Sequence, residues 1–247
     1  MAAQVLLADD ERQRLVDQYA EIAALAGGLA HEIRNPLSTI SLNLELLEED
    51  VAGGDSARER RMLRKLQILQ RECAHLETIL EEFLRFARVG ELELVESDLN
   101  ELVQEFIDFY RAEADAGGIE ISPHLDADLP RVRLDRTLFR QAISNLARNA
   151  QQAMPKGGLL ELQTSVRDGW VELALIDNGV GMNEQTLAGL FNMFFSTKPG
   201  GTGLGLPTVK RIVVAHGGRV TVDSAPGRGT RFTIALPPVP ANSFANR

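Results

Sequence analysis

A repeat of apolar residues at alternating spacings of four and three most constrains what this chain can fold into. Such a heptad seam is typical of helices that pack side by side along their length. In the second of two helical patterns the apolar positions are Met62, Leu66, Leu69, Cys73, Leu76, Leu80, Phe83 and Ala87. In the first pattern they are Leu29, Ile33, Leu37, Ile40, Leu44 and Leu47.

The segment between the two patterns, residues 51–56, contains two glycines and breaks the repeat. Asp55 or Ser56 is suited to cap the helix that follows. We therefore predict an antiparallel helical hairpin over residues 21–88, preceded by a helical lead-in over residues 1–20. Because a two-helix hairpin buries too little apolar surface alone, we expect a homodimer that forms a four-helix bundle.

The second half of the chain has a different texture. The heptads stop after Arg88, and residues 89–97 are predicted to form a linker. From residue 98 to residue 238 helix and strand patterns alternate, and residues 239–247 are predicted to be a tail. Alternating apolar and polar residues in the strands indicate a sheet with one wet face and one face covered by helices. The predicted fold class is thus α + α/β, a helical hairpin followed by an α/β sandwich.

Charge and cysteine content exclude several classes of protein. Lys and Arg number 26 against 35 Asp and Glu, a net charge of −9, which argues against nucleic-acid binding. The single cysteine, Cys73, cannot form an internal disulfide. No apolar run approaches the roughly 18–20 residues of a membrane helix, and the N-terminus is acidic where a signal peptide would be basic. We expect a soluble, cytoplasmic chain.

The common phosphate-binding motifs are missing from the sequence. None of the four lysines (Lys65, Lys156, Lys198 and Lys210) follows a glycine, so there is no Walker A loop. The glycines between Gly200 and Gly205 lack the spacing of a dinucleotide-binding fingerprint. A nucleotide site would have to use another scheme.

Three other patterns contain residues that can bind a ligand. Residues 196–205 hold four glycines and Lys198 and lead into an apolar helix, which suits phosphate, although a mobile surface loop fits equally. Asp177 ends an apolar strand beside Gly179 and Gly181, so its carboxylate can accept from an exocyclic amine or simply belong to a turn. Side-chain amides that can bind Mg²⁺ or form a solvated face recur at helical spacing, at Gln141, Asn145, Asn149 and Gln152.

The order of these patterns, with a Phe-rich segment between the second and the glycines, resembles the ATP-binding domain of sensor histidine kinases. This GHKL superfamily resemblance covers residues 98–237 and implies ATP and Mg²⁺ as cofactors. It implies that Asn149 holds Mg²⁺, that Asp177 takes the adenine amino group, and that Thr230 lies near adenine. The glycine segment with Lys198 would form a lid over the phosphates. The full set of implied nucleotide contacts is Asn145, Arg148, Asn149, Asp177, Gly179, Gly181, Lys198, Gly201, Thr202, Gly203, Leu204, Gly205 and Thr230.

Two of these positions carry a qualification. Hydrolytic relatives have a glutamate where this chain has Asn145, so the resemblance favours phosphoryl transfer over hydrolysis. Arg148 could reach a phosphate or could form a surface ion pair.

The segment around His31 resembles the phosphoacceptor box of the same kinases. His31 lies two residues from both Leu29 and Ile33, so its side chain is expected to point away from the seam. The resemblance implies that His31 attacks the terminal phosphorus of ATP, with Glu32 accepting a hydrogen bond from its other ring nitrogen. Asn35 would place water for a reverse phosphatase reaction. For Glu32 and Asn35 a plain solvated helix face is the alternative.

Two functional hypotheses follow from this sequence. The first is a homodimeric kinase core that phosphorylates His31 and then passes the phosphoryl group to an aspartate in the receiver domain of a response regulator. The second is a nucleotide-switched dimeric scaffold, or an ATPase, that never phosphorylates the histidine.

Overall fold

The computed structural model describes residues 57–87, 92–193, 195–198 and 201–240, together with residues 34, 37, 38, 40–42, 44, 45, 47 and 48. The chain divides into two compact units, residues 1–90 and residues 91–247. No helix in these ranges is long and apolar enough to span a bilayer. The predicted residues His31, Glu32 and Asn35, the lead-in and most of the tail lie outside the described residues.

The first unit is a helical hairpin, as predicted. Its second helix, α1, is Ala57–Ala87, and the described residues between 34 and 48 are also helical. Leu37 and Leu44 bury their side chains together with Cys73 of α1, and Leu66 packs against this cluster. These contacts join seam positions of the two predicted patterns, so hydrophobic burial along the seam holds the hairpin together.

Only part of each seam is buried within one chain. Leu37 and Leu44, one heptad apart, are buried, and so is Cys73 of α1. The seam positions that alternate with them are about half exposed: Ile40 48%, Leu47 48%, Leu69 51% and Leu76 49%. The outward half of the seam is thus an apolar stripe on the surface of the single hairpin.

The second unit is built from a two-stranded and a five-stranded sheet with helices. Its helices are α2 (Leu99–Ala116), α3 (Arg136–Ala153), α4 (Glu184–Gly189) and α5 (Gly205–Ala215). Its strands are β1 (Val95–Ser97), β2 (Ile119–His124), β3 (Val132–Leu134), β4 (Gly158–Arg167), β5 (Trp170–Asp177), β6 (Arg219–Ser224) and β7 (Thr230–Leu236). In the sequence, Asp98 followed three residues later by Glu101 predicts a helix start. Asp98 does cap α2, by accepting from the backbone N–H groups of Asn100 and Glu101.

The five-stranded sheet has the order β2-β4-β5-β7-β6, with β2 parallel to β4 and the other pairs antiparallel. Every second residue of the central strands is buried beneath the helices, among them Leu162, Leu173 and Ile234. The alternate residues, such as Gln163 and Arg231, point to the other face and hydrogen-bond to each other. The α/β sandwich is therefore confirmed.

Three local features differ from the sequence predictions. Val95–Ser97, assigned to the linker, pair with β3 as strand β1. The short helix α4 was not foreseen, because its six residues carry too little hydrophobic periodicity. Val166 continues the apolar alternation of β4 but is 46% exposed, because it lies near the turn that joins β4 to β5.

A buried histidine joins two helix ends. His216, which follows α5, makes a hydrogen bond between Nδ1 and the Ile212 carbonyl at 2.7 Å, and its Nε2 accepts from the backbone N–H of Asp135 at 2.9 Å. Asp135 in turn caps α3 through the N–H of Leu138. Both ring nitrogens are used by the neutral imidazole, and burial lowers the pKa of His216.

We expect acid to destabilise the second unit through His216. Because its folded pKa is lowered, the unfolded chain binds the proton first, so stability falls as pH drops below about 6.5, by at most about 1.4 kcal/mol per pH unit. In His216→Gln this part of the slope disappears, whereas the exposed His124→Gln keeps it. Urea unfolding of the three proteins between pH 5 and pH 8 (roughly the range in which imidazole titrates) measures the slope. An unchanged slope in His216→Gln would contradict the assignment.

Candidate functional site

The polar face of helix α3 is the first component of the site. One side of α3 is buried through Phe139, Ile143 and Leu146, which leaves its amide side chains on the other side. Asn145 Nδ2 donates to the backbone carbonyl of Gly205, the first residue of α5, at 3.2 Å. This bond fastens the end of the glycine-rich segment to α3.

Lys198 brings the glycine-rich segment to the same helix face. Its Nζ donates to Asn149 Oδ1 at 3.3 Å and to Gln152 Oε1 at 2.7 Å. Burial lowers the pKa of Lys198, and the carboxylate of Asp177 opposes that shift. A partly desolvated ammonium held by two neutral amides, with a carboxylate nearby, is well suited to a strongly anionic ligand.

Asp177 supplies a buried carboxylate at the end of β5. Its side chain is 6% exposed, and Oδ1 accepts from the backbone N–H of Gly179 at 2.9 Å. Burial raises the pKa of Asp177, while hydrogen bonds from the backbone of Gly179 and Thr230 and the charge of Lys198 act in the opposite direction. Because a carboxylate offers about four lone pairs, Asp177 can still accept from a donor on a ligand.

Close backbone approaches shape the turn after Asp177. A Cβ on Gly179 would come within 2.7 Å of the Ala153 carbonyl at the end of α3, and one on Gly181 would overlap the Ala225 carbonyl. Val180 N–H donates to the same Ala153 carbonyl at 3.1 Å. The turn is thus pressed against α3, and only glycine fits at these two positions.

The glycine-rich segment closes on itself before α5. Gly201 N–H donates to the Lys198 carbonyl at 3.2 Å, and Leu204 N–H reaches Thr202 Oγ1 at 3.4 Å. Leu204 is fully buried at the start of α5, whereas a Cβ on Gly205 would meet open space. Gly203 has a φ of +68°. Leu204 anchors the segment, while Gly205 leaves the start of α5 uncovered by a side chain at that position.

Thr230 lies beside Asp177 in the sheet. The register pairs Asp177 with Thr230 across β5 and β7, and Thr230 with Ser224 across β7 and β6. Directly opposed residues point to the same face, which is the helix-covered face here. Ser224 Oγ lies 3.0 Å from Thr230 Oγ1. A row of three polar side chains therefore runs along this edge of the core.

The donor set around Asn149 fits a magnesium ion bound with a phosphorylated ligand. Asn149 Oδ1 already faces the ammonium of Lys198, so this oxygen is directed at positive charge. Within the described ranges no group of three His, Cys, Asp or Glu side chains could hold a metal alone. Mg²⁺ typically takes one or two protein oxygens and completes its shell with phosphate oxygens and water.

Most of the predicted nucleotide contacts fall within this unit, on the helix face, the β5 end and the glycine segment. Arg148 is exposed. Burial raises the pKa of the nearby Tyr110 hydroxyl to about 12, and the charge of Arg148 acts to lower that pKa. Two contributors were missed. Gln152 belongs to the amide face but is absent from the implied nucleotide contacts, and Ser224 gave no sequence signal because its contact depends on strand register.

Two family patterns match the chain. The family described as "His Kinase A (phospho-acceptor) domain" matches residues 21–92. The family described as "Histidine kinase-, DNA gyrase B-, and HSP90-like ATPase" matches residues 134–240.

Individual proteins agree with these matches. The sensor histidine kinase ZraS of Escherichia coli O157:H7 is 32% identical over 231 residues, which are 94% of this chain and 49% of ZraS, so the chain spans about half the length of that relative. Full-length ShkA in complex with AMPPNP superposes with a TM-score of 0.68 at 30% identity, over 87% of this chain and 46% of ShkA. The histidine kinase ThkA in complex with the response regulator TrrA shares the fold at 24% identity and a TM-score of 0.64, over 98% and 68% of the two chains.

Two glycines of matched geometry test the close packing of the site. Gly227 and Gly229 have φ values of +74° and +73°, but a Cβ at Gly227 meets open space and one at Gly229 would overlap the Asp177 carbonyl. Gly227→Ala should lose only the conformational term, about 1–2 kcal/mol. Gly229→Ala should lose a further 1–3 kcal/mol or so, since backbone must move. Urea unfolding measures both values, and equal losses would contradict the close approach.

Asp177→Asn should stabilise the ligand-free protein at neutral pH. The main cause of the raised pKa of Asp177 is burial of its charge, which asparagine avoids while keeping the acceptor for Gly179 N–H. The gain should shrink as pH falls through the raised pKa, because the wild-type carboxyl then becomes neutral. Thermal unfolding of both proteins, from neutral pH down through the raised pKa of Asp177, measures the gain. The exposed Asp223→Asn is the control, and a destabilised Asp177→Asn would contradict the prediction.

Proposed function

The chain belongs to the sensor histidine kinases, and from this membership we propose that it binds ATP in its second unit and phosphorylates its own His31. The observation that carries the proposal is the contact of Lys198 with Asn149 and Gln152 beside the buried Asp177. Three segments far apart in sequence thereby contribute a cation, amide oxygens and a carboxylate to one place. ATP requires that combination, with an amine to be recognised at one end and phosphates to be neutralised at the other.

We assign the two ends of ATP to different residues. Asp177 accepts a hydrogen bond from the exocyclic amine of adenine, and the turn at Gly179 and Gly181 lets backbone approach the flat base. Lys198 and the glycine segment lie over the phosphates, where backbone N–H groups at the start of α5 add favourable dipoles. Asn149, through its amide oxygen, would hold Mg²⁺, which neutralises phosphate charge when bound.

The transferred group goes to a neutral imidazole. His31 uses the lone pair of one ring nitrogen to form a bond to the terminal phosphorus as the bond from that phosphorus to ADP oxygen breaks. Its other ring nitrogen carries the proton, and Glu32 accepts a hydrogen bond from it. Asn35 is proposed to place water for the reverse, phosphatase reaction.

Asn145 favours transfer over hydrolysis. A neutral amide at this position cannot take a proton from water, and one of its two N–H donors is committed to the Gly205 carbonyl. A carboxylate there would provide a general base. Water inside the site is therefore poorly activated, and the nucleotide is kept for the histidine.

The hairpin is the part of the chain through which we expect it to contact other proteins. The outward half of its seam, with Ile40, Leu47, Leu69 and Leu76 about half exposed, fits a homodimeric four-helix bundle. We propose that phosphorylated His31 then donates to an aspartate in the receiver domain of a response regulator, in the cytoplasm, where ATP is available. A sensor segment or protein outside this chain would control the reaction.

Incubation of the chain with Mg²⁺ and ATP labelled at the terminal phosphate tests the proposal. We expect a protein-bound label that is stable in base and lost in acid, as a phosphorus–nitrogen bond requires. His31→Gln should abolish the label while leaving nucleotide affinity unchanged, and His75→Gln on α1 is the matched control that keeps it. Asp177→Asn should lose both binding and label.

Two results would contradict this proposal. Nucleotide binding without any label would support the dimeric scaffold or the ATPase instead. A label that survives in His31→Gln would place the phosphoryl group on another residue.

A further inference from the structure

Ser224 is a polar residue with three partners and no role in the proposed chemistry. Its Oγ receives the backbone N–H of Met182 at 2.9 Å, donates to the Gly229 carbonyl at 2.8 Å, and lies 3.0 Å from Thr230 Oγ1. Met182 follows the turn after Asp177, and Gly229 precedes Thr230 in the chain. Ser224 thus connects both segments that border the Asp177 carboxylate.

The proton count at Ser224 determines the direction of each hydrogen bond. A serine hydroxyl has one proton and two lone pairs. Met182 N–H uses one lone pair, and the Gly229 carbonyl, which can only accept, takes the proton. One lone pair remains for Thr230, so the Thr230 hydroxyl must donate to Ser224. The reverse direction would leave two oxygens 2.8 Å apart with no proton between them.

This arrangement fixes what Thr230 offers to a ligand. With its proton directed at Ser224, Thr230 Oγ1 has only lone pairs left, and it lies beside the acceptor-only carboxylate of Asp177 in the sheet. Both residues are only 6% exposed, so a ligand group left without a hydrogen-bond partner there gains little from water. The edge of the site is therefore a pair of acceptors.

We propose that Ser224 is a positioning residue for base selection: by holding the Thr230 hydroxyl as an acceptor, it makes the site favour a base with an amine over one with a carbonyl oxygen. The inference rests on the proposed ATP site. Adenine presents an amine at this edge, whereas guanine in the same pose presents an oxygen, which two acceptors repel.

Removal of Ser224 frees the proton of Thr230. In Ser224→Ala the Thr230 hydroxyl can rotate and donate to a carbonyl oxygen, so GTP should bind more tightly relative to ATP. One misdirected buried hydrogen bond corresponds to roughly a tenfold change in the ratio of the two dissociation constants. Ser224→Thr keeps the hydroxyl and should restore the wild-type ratio.

Calorimetric titration of the full chain with ATP and with GTP, each with Mg²⁺, tests this role. The readout is the GTP-to-ATP ratio of dissociation constants within each variant, because a merely loosened fold weakens both nucleotides together. Ser165→Ala, on the opposite face of the sheet, is the matched control and should keep the wild-type ratio. In a Thr230→Val background, Ser224→Ala should no longer change the ratio, because its effect acts through Thr230.

The outcomes separate this inference from the proposed function. Failure of the wild-type chain to bind ATP would overturn the ATP site itself. ATP binding with an unchanged ratio in Ser224→Ala would overturn the positioning role alone. A ratio change that persists in Thr230→Val would also overturn it, since Ser224 would then act by another route.

Discussion

The geometry of the second unit depends on how closely the end of β5 approaches the backbone around it. Gly179 lies against the carbonyl of Ala153, Gly181 against that of Ala225, and Gly229 against that of Asp177. Side chains at these positions would separate β5 from α3 and from the start of β7. The contacts therefore set where the Asp177 carboxylate lies relative to Asn149, which is one turn before the end of the same helix. The recognition of a base and the binding of phosphates are linked through this backbone packing.

The two charged side chains of the site, Asp177 and Lys198, lie in surroundings that disfavour their ionised forms. Burial raises the pKa of Asp177 and lowers that of Lys198, so each group resists its own ionisation while its partner opposes the shift. Groups that are buried, mutually attracted and only partly satisfied are more typical of functional sites than of structural ion pairs. The ion pairs of Arg136 and Arg140 with Glu105 are partly exposed and join α2 to α3.

Local sequence signals predicted the elements better than their relations. The heptads predicted the hairpin and the Asp98 cap predicted the start of α2, because both are encoded by nearby residues. The linker assignment failed at Val95–Ser97, because β1 exists only through its pairing with the distant β3. In the candidate site, the amide face of α3 was visible as a helical spacing. Its bonds to Lys198 were not, since they join residues 46 and 49 positions apart. Ser224 gave no signal because its contact with Thr230 depends on the register of β6 and β7.

Long-range register also explains why the site can be specific without many charged groups. Asp177, Thr230 and Ser224 are aligned by strand pairing, so their spacing is set by the sheet rather than by side-chain flexibility. In such a row the direction of one hydroxyl proton is decided by its neighbours, and a carbonyl at Gly229 that can only accept settles the row from one end. A network of this kind orients acceptors before a ligand arrives, which lowers the entropy lost on binding. The same rigidity makes the site sensitive to a single hydroxyl, even though that hydroxyl lies at the far end of the row from the Asp177 carboxylate.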